Sequence, residues 1–143
     1  MDKLQKYKHW ESLADYDMET ARAMLKSGRH LYVVFMCQQG IEKIIKGIFV
    51  LFTGEEPPRT HNIWNLFKGI FNNSSYIPEI PGDILEKKKE DYKPFFLELV
   101  AYYISGRYPD YKNNLSQTVD KKKAEEVLHK AEEVFSWLKS LNK

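Results

Sequence analysis

The chain has 143 residues, of which 43 % are apolar, 29 % charged and 14 % aromatic, and its formal net charge is +2. That length is expected to form one domain spanning residues 1–143, and the apolar and aromatic content excludes intrinsic disorder. The near-balance of charge excludes a uniformly basic nucleic-acid binder, and no stretch of about 20 apolar residues is present that would cross a membrane.

The first residues, MDKLQKYKHWE, are charged with no apolar run behind them, so no signal peptide is expected. Trp10, Leu13, Ala14, Asp17, Ala21, Met24 and Leu25 then recur every three or four residues. This predicts a helix over about 5–27, closed by Ser27-Gly28. From Leu31 to Phe52, the pattern points Phe35, Cys37, Ile41, Ile44, Ile45, Ile48, Phe49 and Phe52 inward, ending at Thr53-Gly54. This helix is apolar around much of its girth and is expected to be the central one. Pro57-Pro58 stops it from continuing. Cys37 is the only cysteine, which permits no internal disulfide and leads us to expect a reducing, cytoplasmic setting.

Thr60-His61-Asn62 offers capping side chains before Ile63, Trp64, Leu66, Phe67, Ile70 and Phe71, a short third helix. Residues 72–82 read as a loop. Asp83 is expected to cap a fourth helix running toward Tyr92, and Pro94 either kinks it or opens a fresh helix through Phe95, Phe96, Leu99, Val100, Tyr103 and Ile104. Gly106 and Pro109 end that run, and a loop leads to Thr118. Asp120 caps the last helix, with Ala124, Val127, Leu128, Ala131, Val134, Phe135 and Leu138 on one stripe. Strand and hairpin signals are nearly absent. The expected architecture is all-α: an up-and-down bundle of four to five helices with a short extra helix.

Common enzyme templates are missing. There is no glycine-rich phosphate loop, no HExxH, no paired cysteine and no Gly-x-Ser-x-Gly. His9, His30, His61 and His129 do not pair at metal-ligand spacing, so neither a metal nor a cofactor is expected. Glu125, Glu126, Glu132 and Glu133 lie among lysines and read as the solvated face of the last helix.

Two segments carry more chemistry than a bundle requires. Within Gln38-Gln39-Gly40-Ile41-Glu42-Lys43-Ile44-Ile45-Lys46, the residues Gln39, Lys43 and Lys46 fall on one stripe of the central helix, and Glu42 can reach Lys46. Polar groups beside a core are either paired or face a cleft. The second segment, Tyr102 to Asp110, combines three tyrosines with Arg107, one of only four arginines beside 18 lysines. A guanidinium there can hold a phosphate while Tyr103 or Tyr108 contacts a base. Equally, Arg107 can cap its own helix and pair with Asp110. His61, at a helix start, is a further candidate for an anion contact.

With these motifs in this order, the chain resembles the HEPN domain (higher-eukaryote and prokaryote nucleotide-binding). The matching features are Trp10 with the alanines of the first helix, Gln-Gln-x-x-Glu-Lys-x-x-Lys at 38–46, Thr60-His61-Asn62, Tyr-x-x-x-Arg-Tyr-Pro-Asp at 103–110, and a closing helix with Ala131 and Trp137. The resemblance implies an up-and-down bundle, usually a homodimer, often produced beside a minimal nucleotidyltransferase. Many members of the wider family are metal-independent RNases acting as toxins or defence effectors. Their signature is an Arg followed, after four to six residues, by a His. Here the corresponding positions after Arg107 are Lys112, Asn113 and Asn114, and no other arginine has a His at that interval. Without that imidazole, no general acid or base is evident beside Arg107.

The expected function is therefore a non-catalytic module that binds the phosphate of a nucleotide or RNA. Its expected ligand contacts are Gln39, Lys43, Lys46, His61, Tyr103, Arg107, Tyr108 and Asp110. It is expected to be a homodimer, with a nucleotidyltransferase as possible partner and no membrane association. Two alternatives are a metal-independent RNase, with His61 or a tyrosine handling the proton, and a purely structural interaction module.

Overall fold

The computed structural model describes residues 1–71, 80–108 and 117–142, and several of its helices open on side-chain caps. Helix α1 (Lys3–Lys26) opens on a reciprocal cap. The Asp2 carboxylate accepts from the Gln5 amide at 2.8 Å, and the Asp2 amide donates to the Gln5 side chain at 3.0 Å. Ser27 closes it, and Gly28, at φ +76°, turns the chain back. Helix α2 (His30–Thr53) ends at Gly54, at φ +74°, a left-handed cap suited to a residue without Cβ. The short turn makes α1 and α2 antiparallel neighbours, and they share the most extensive interface of the molecule. Gly40 and Gly47 permit this close approach. A Cβ at either would press on Met18 or on Trp10 and Tyr7 of α1.

Asn62 caps α3 (Ile63–Phe71), its side-chain oxygen accepting from the Asn65 amide at 3.1 Å. Helix α4 (Gly82–Ser105) differs from expectation at its start. Pro81, not Asp83, occupies its N-cap, and Asp83 lies inside the first turn, where its charge favours the helix start. Of the two alternatives at Pro94, a fresh helix is excluded, because the chain remains helical through it. The physical reason is packing: Tyr92, Phe96 and Leu99, on either side of Pro94, are all fully buried on one stripe. That burial outweighs the lost hydrogen bond of about 3 kcal/mol. Asp120 caps α5 (Lys121–Lys139) through the Lys123 amide at 2.8 Å, and a 3₁₀ turn, Ser140–Asn142, follows. Of the loop expected at 72–82, residues 72–79 lie outside the described residues and Gly82 already opens α4; of the loop expected up to Thr118, residues 109–116 lie outside them and 117–118 are helical.

The result is an all-α, up-and-down bundle, with no strand among the described residues. Helix α2 is central and packs against α1, α3, α4 and α5. All seven apolar residues expected to face inward on α5 are buried. On α1 the core also takes Tyr7 and Met18, whereas Leu13 is largely exposed. On α2, Cys37 and Ile41, Ile44, Ile45 and Ile48 are buried, while Phe35, Phe49 and Phe52 are half-buried at its ends. Phe67 of α3 anchors an aromatic cluster with Trp64, Phe71, Tyr92, Phe96 and Trp137. Among the described residues, no helix is long and apolar enough to cross a membrane.

Candidate functional site

A helix surrounded by others has little tolerance for charge, yet α2 buries Gln38, Glu42 and Lys46 at successive i,i+4 steps. Glu42 is the hub. One of its carboxylate oxygens accepts from the Lys46 ammonium at 3.1 Å, and the other accepts from the Gln38 amide at 3.2 Å. Both oxygens approach Nδ1 of His61, at 2.9 and 3.2 Å. Gln38 also donates to the His61 carbonyl at 3.0 Å, fixing the backbone of the segment that leads into α3. The burial of this carboxylate is thus offset by an ammonium, an amide and an imidazole.

That arrangement sets the chemistry of His61. Because Nδ1 faces a carboxylate, it carries a proton, and Nε2 is left on the opposite edge of the ring. The side chain is 52 % exposed, so the ring is accessible to a ligand. The imidazole can accept a proton at Nε2 or, once protonated, donate from it. His61 does not cap α3, since Asn62 performs that role.

The end of α4 supplies the rest. Tyr103 sets its ring 5.2 Å from that of His61, centroid to centroid. The Arg107 guanidinium lies over the same Tyr103 ring at 5.1 Å. Gly106 belongs here for space rather than for backbone freedom: its φ is −68°, but a Cβ would overlap the Phe35 ring. The last turn tightens through the amides of Arg107 and Tyr108, which donate to the Ile104 and Ser105 carbonyls. Among the described residues Arg107 pairs with no carboxylate. Asp110, its expected partner and a proposed ligand contact, lies outside them.

Of the expected contacts, the structure brings Lys46, His61, Tyr103 and Arg107 together. Gln39 is half-buried and donates to Gln38 at 2.9 Å, one step removed from Glu42. Lys43 turns the other way and binds Asp17 of α1 at 2.6 Å, so it belongs to the α1–α2 interface. Tyr108 is exposed at the helix end. Gln38 and Glu42 were not among the expected contacts, although their i,i+4 spacing with Lys46 was visible. Among the described residues no group of three His, Cys, Asp or Glu side chains could hold a metal ion.

Comparison with known proteins agrees with this architecture. No curated protein sequence matches the chain. Among solved structures, it is similar to TT1696 from Thermus thermophilus, at 22 % identity and a TM-score of 0.70, over 95 % of this chain and 98 % of that one. It is also similar to ST0689, an archaeal HEPN homologue, at 27 % identity and a TM-score of 0.65, over 96 % and 98 % of the two chains. The HEPN domain family model matches residues 7–141, and the chain therefore belongs to the HEPN domain family.

Proposed function

We propose that this protein is a HEPN module that binds the phosphate of a nucleotide or a nucleic acid, with Arg107 and His61 as the anion contacts and Tyr103 between them. The observation that carries this reading is the continuous chain Lys46–Glu42–His61–Tyr103–Arg107. It ends in an exposed guanidinium without a carboxylate partner among the described residues. Lys46 neutralises Glu42, so the open end of the chain is cationic and suits an anion. Calorimetric titration with nucleotides and short RNA, with a chelator present, tests it. Binding that disappears in Arg107→Ala supports the site, and unchanged binding in that variant rejects it.

A second reading, metal-independent RNA cleavage, is favoured by the grip of Glu42 on His61. The carboxylate orients an imidazole whose free Nε2 could take a proton from a 2′-hydroxyl while Arg107 stabilises phosphate charge. This imidazole comes from before α3 rather than from the interval after Arg107. RNA cleavage in chelator that is lost in His61→Ala would select this reading over simple binding.

The module is further proposed to be a homodimer and to work with a minimal nucleotidyltransferase. The dimer is supported by a stripe of Leu97, Ala101 and Ile104 on the outer face of α4, with Leu97 44 % and Ile104 53 % exposed.

A further inference from the structure

Lys93, Phe96, Val100 and Tyr103 recur at three and four residues and so share one face of α4, and Arg107 follows two residues past its end; Phe96 and Val100 are buried, so Lys93, Tyr103 and Arg107 form the accessible edge of that face. Contacts with α3 and the segment before it fix where this face points. Phe96 lies 6.4 Å from Trp64, and Tyr103 lies 5.2 Å from His61. The Lys93 ammonium is 5.7 Å from the Trp64 ring centroid. Lys68, one turn further along α3, places its own ammonium on the same ring at 5.7 Å. One half-buried indole therefore carries two cations, and neither pairs with a carboxylate among the described residues. Glu86 is engaged by Lys89, and Asp91 and Glu133 by Lys130. Lys88 likewise lies over Tyr92 and Trp137 with no carboxylate partner among those residues.

Two ammoniums that each lie 5.7 Å from one ring centroid repel, and an anion that reaches both relieves that repulsion. We propose that Trp64, Lys68 and Lys93 form a second phosphate subsite, which takes the backbone of a single-stranded nucleic acid whose other contact is the Arg107 site. This rests on the phosphate-binding reading of that site. Lys93 and Tyr103 are ten residues apart on one helix, about 15 Å at ~1.5 Å per residue. A stacked strand advances ~3.4 Å per phosphate, so several nucleotides are needed to reach from one site to the other. A mononucleotide fills only the Arg107 end. Basic side chains beside the half-buried Trp64 and Tyr103 suit a single strand, whose phosphates the ammoniums hold without reading sequence.

Fluorescence anisotropy with labelled dinucleotides and octanucleotides, in ribo and deoxyribo series and over a range of salt, tests this. The wild type is expected to bind the octanucleotide at least ~10-fold more tightly than the dinucleotide. The Lys68→Gln/Lys93→Gln variant is expected to lose about 10-fold on the octanucleotide and none on the dinucleotide. Its salt slope should fall by about 1.4, two phosphate contacts at ~0.7 each. Arg107→Ala should weaken both lengths. An unchanged octanucleotide affinity and salt slope in the double variant would overturn the second subsite while leaving the Arg107 site standing. Loss of dinucleotide binding in the double variant would also overturn it, because the lysines would then act on the Arg107 site. A wild type that binds neither length would remove the underlying reading and the subsite with it.

Discussion

The carboxylate of Glu42 lies 2.9 Å from Nδ1 of His61, a residue nineteen positions further along the chain. It ties the central helix to the segment that starts α3. The Glu42 side chain is only 6 % exposed, and it is also the counter-charge of Lys46, which is 10 % exposed. Removing it leaves a buried ammonium unpaired. Glu42→Ala is therefore expected to cost about 3–5 kcal/mol of stability. Glu42→Gln, which keeps the shape and loses the charge, should cost less but still weaken ligand binding. Denaturant unfolding of the two variants beside wild type separates the structural part from the functional one.

Arg107 is exposed and has little to lose structurally. Arg107→Ala should leave the unfolding free energy within about 0.5 kcal/mol of wild type. Ligand affinity should fall by 10- to 100-fold, the scale of about 1.5–3 kcal/mol for a charge-assisted hydrogen bond. Arg107→Lys retains charge but loses the planar fork, so it should restore affinity only in part. Calorimetry on the three proteins gives the order directly.

Alkaline pH should unfold this protein through protons that the fold refuses to release. Burial pushes the Cys37 thiol up to about 12. The Tyr7 and Tyr92 hydroxyls are also pushed far above the usual phenol range, by burial first. For Tyr7 the hydrogen bond it donates to Glu11 at 2.8 Å adds to that effect. The unfolded chain loses these protons near ~8.5 for Cys and ~10 for Tyr, whereas the native state keeps them. The unfolded state thus binds fewer protons, and stability declines as pH rises above that range. Of the nine tyrosines, two are expected to ionise only as the fold is lost. Tyrosinate absorbance and circular dichroism, followed together through an alkaline titration, should show that coincidence.

A charge on the α4 stripe should separate the proposed dimer. Ile104→Asp places a carboxylate where a second copy would bury an apolar side chain, while in the monomer that position is already 53 % exposed. Sedimentation should shift to the monomer with little change in helical content. A wild type that sediments as a monomer at micromolar concentration would remove the dimer proposal.

Gly106→Ala tests whether the end of α4 is shaped by space. The added methyl meets the Phe35 ring and comes within 3.0 Å of the Tyr102 carbonyl. A loss of about 1–3 kcal/mol is expected, with weaker ligand binding as Arg107 is displaced from Tyr103. Gly106→Ala combined with Phe35→Leu should recover part of both.

Amphipathic helices at the edge of the bundle were the most legible part of the sequence. On α5, with charge on one side and apolar residues on the other, periodicity identified every buried residue. Helix α2 was harder, because a helix covered on many sides has no clean polar face to orient it. Gln39, Lys43 and Lys46 share a stripe in sequence, yet Lys43 is drawn to Asp17 and Lys46 to Glu42. Helical spacing states which residues are neighbours and leaves open which element each one meets. Glu42 became the hub through His61, a contact no local spacing could reveal. At Pro94 the sequence left two alternatives, a continued helix or a fresh one, for a related reason: local rules admit both, and burial of Tyr92 and Phe96 decides for continuity.

Because α2 packs against α1, α3, α4 and α5, its amides should be among the last to open in native-state hydrogen exchange. The Glu42 anchor of the site therefore sits on the slowest-exchanging element of the molecule, whereas Arg107 sits at a helix terminus that frays first. Ligand contact would then slow exchange chiefly at the end of α4, tightening a loose rim against a hub that is already rigid.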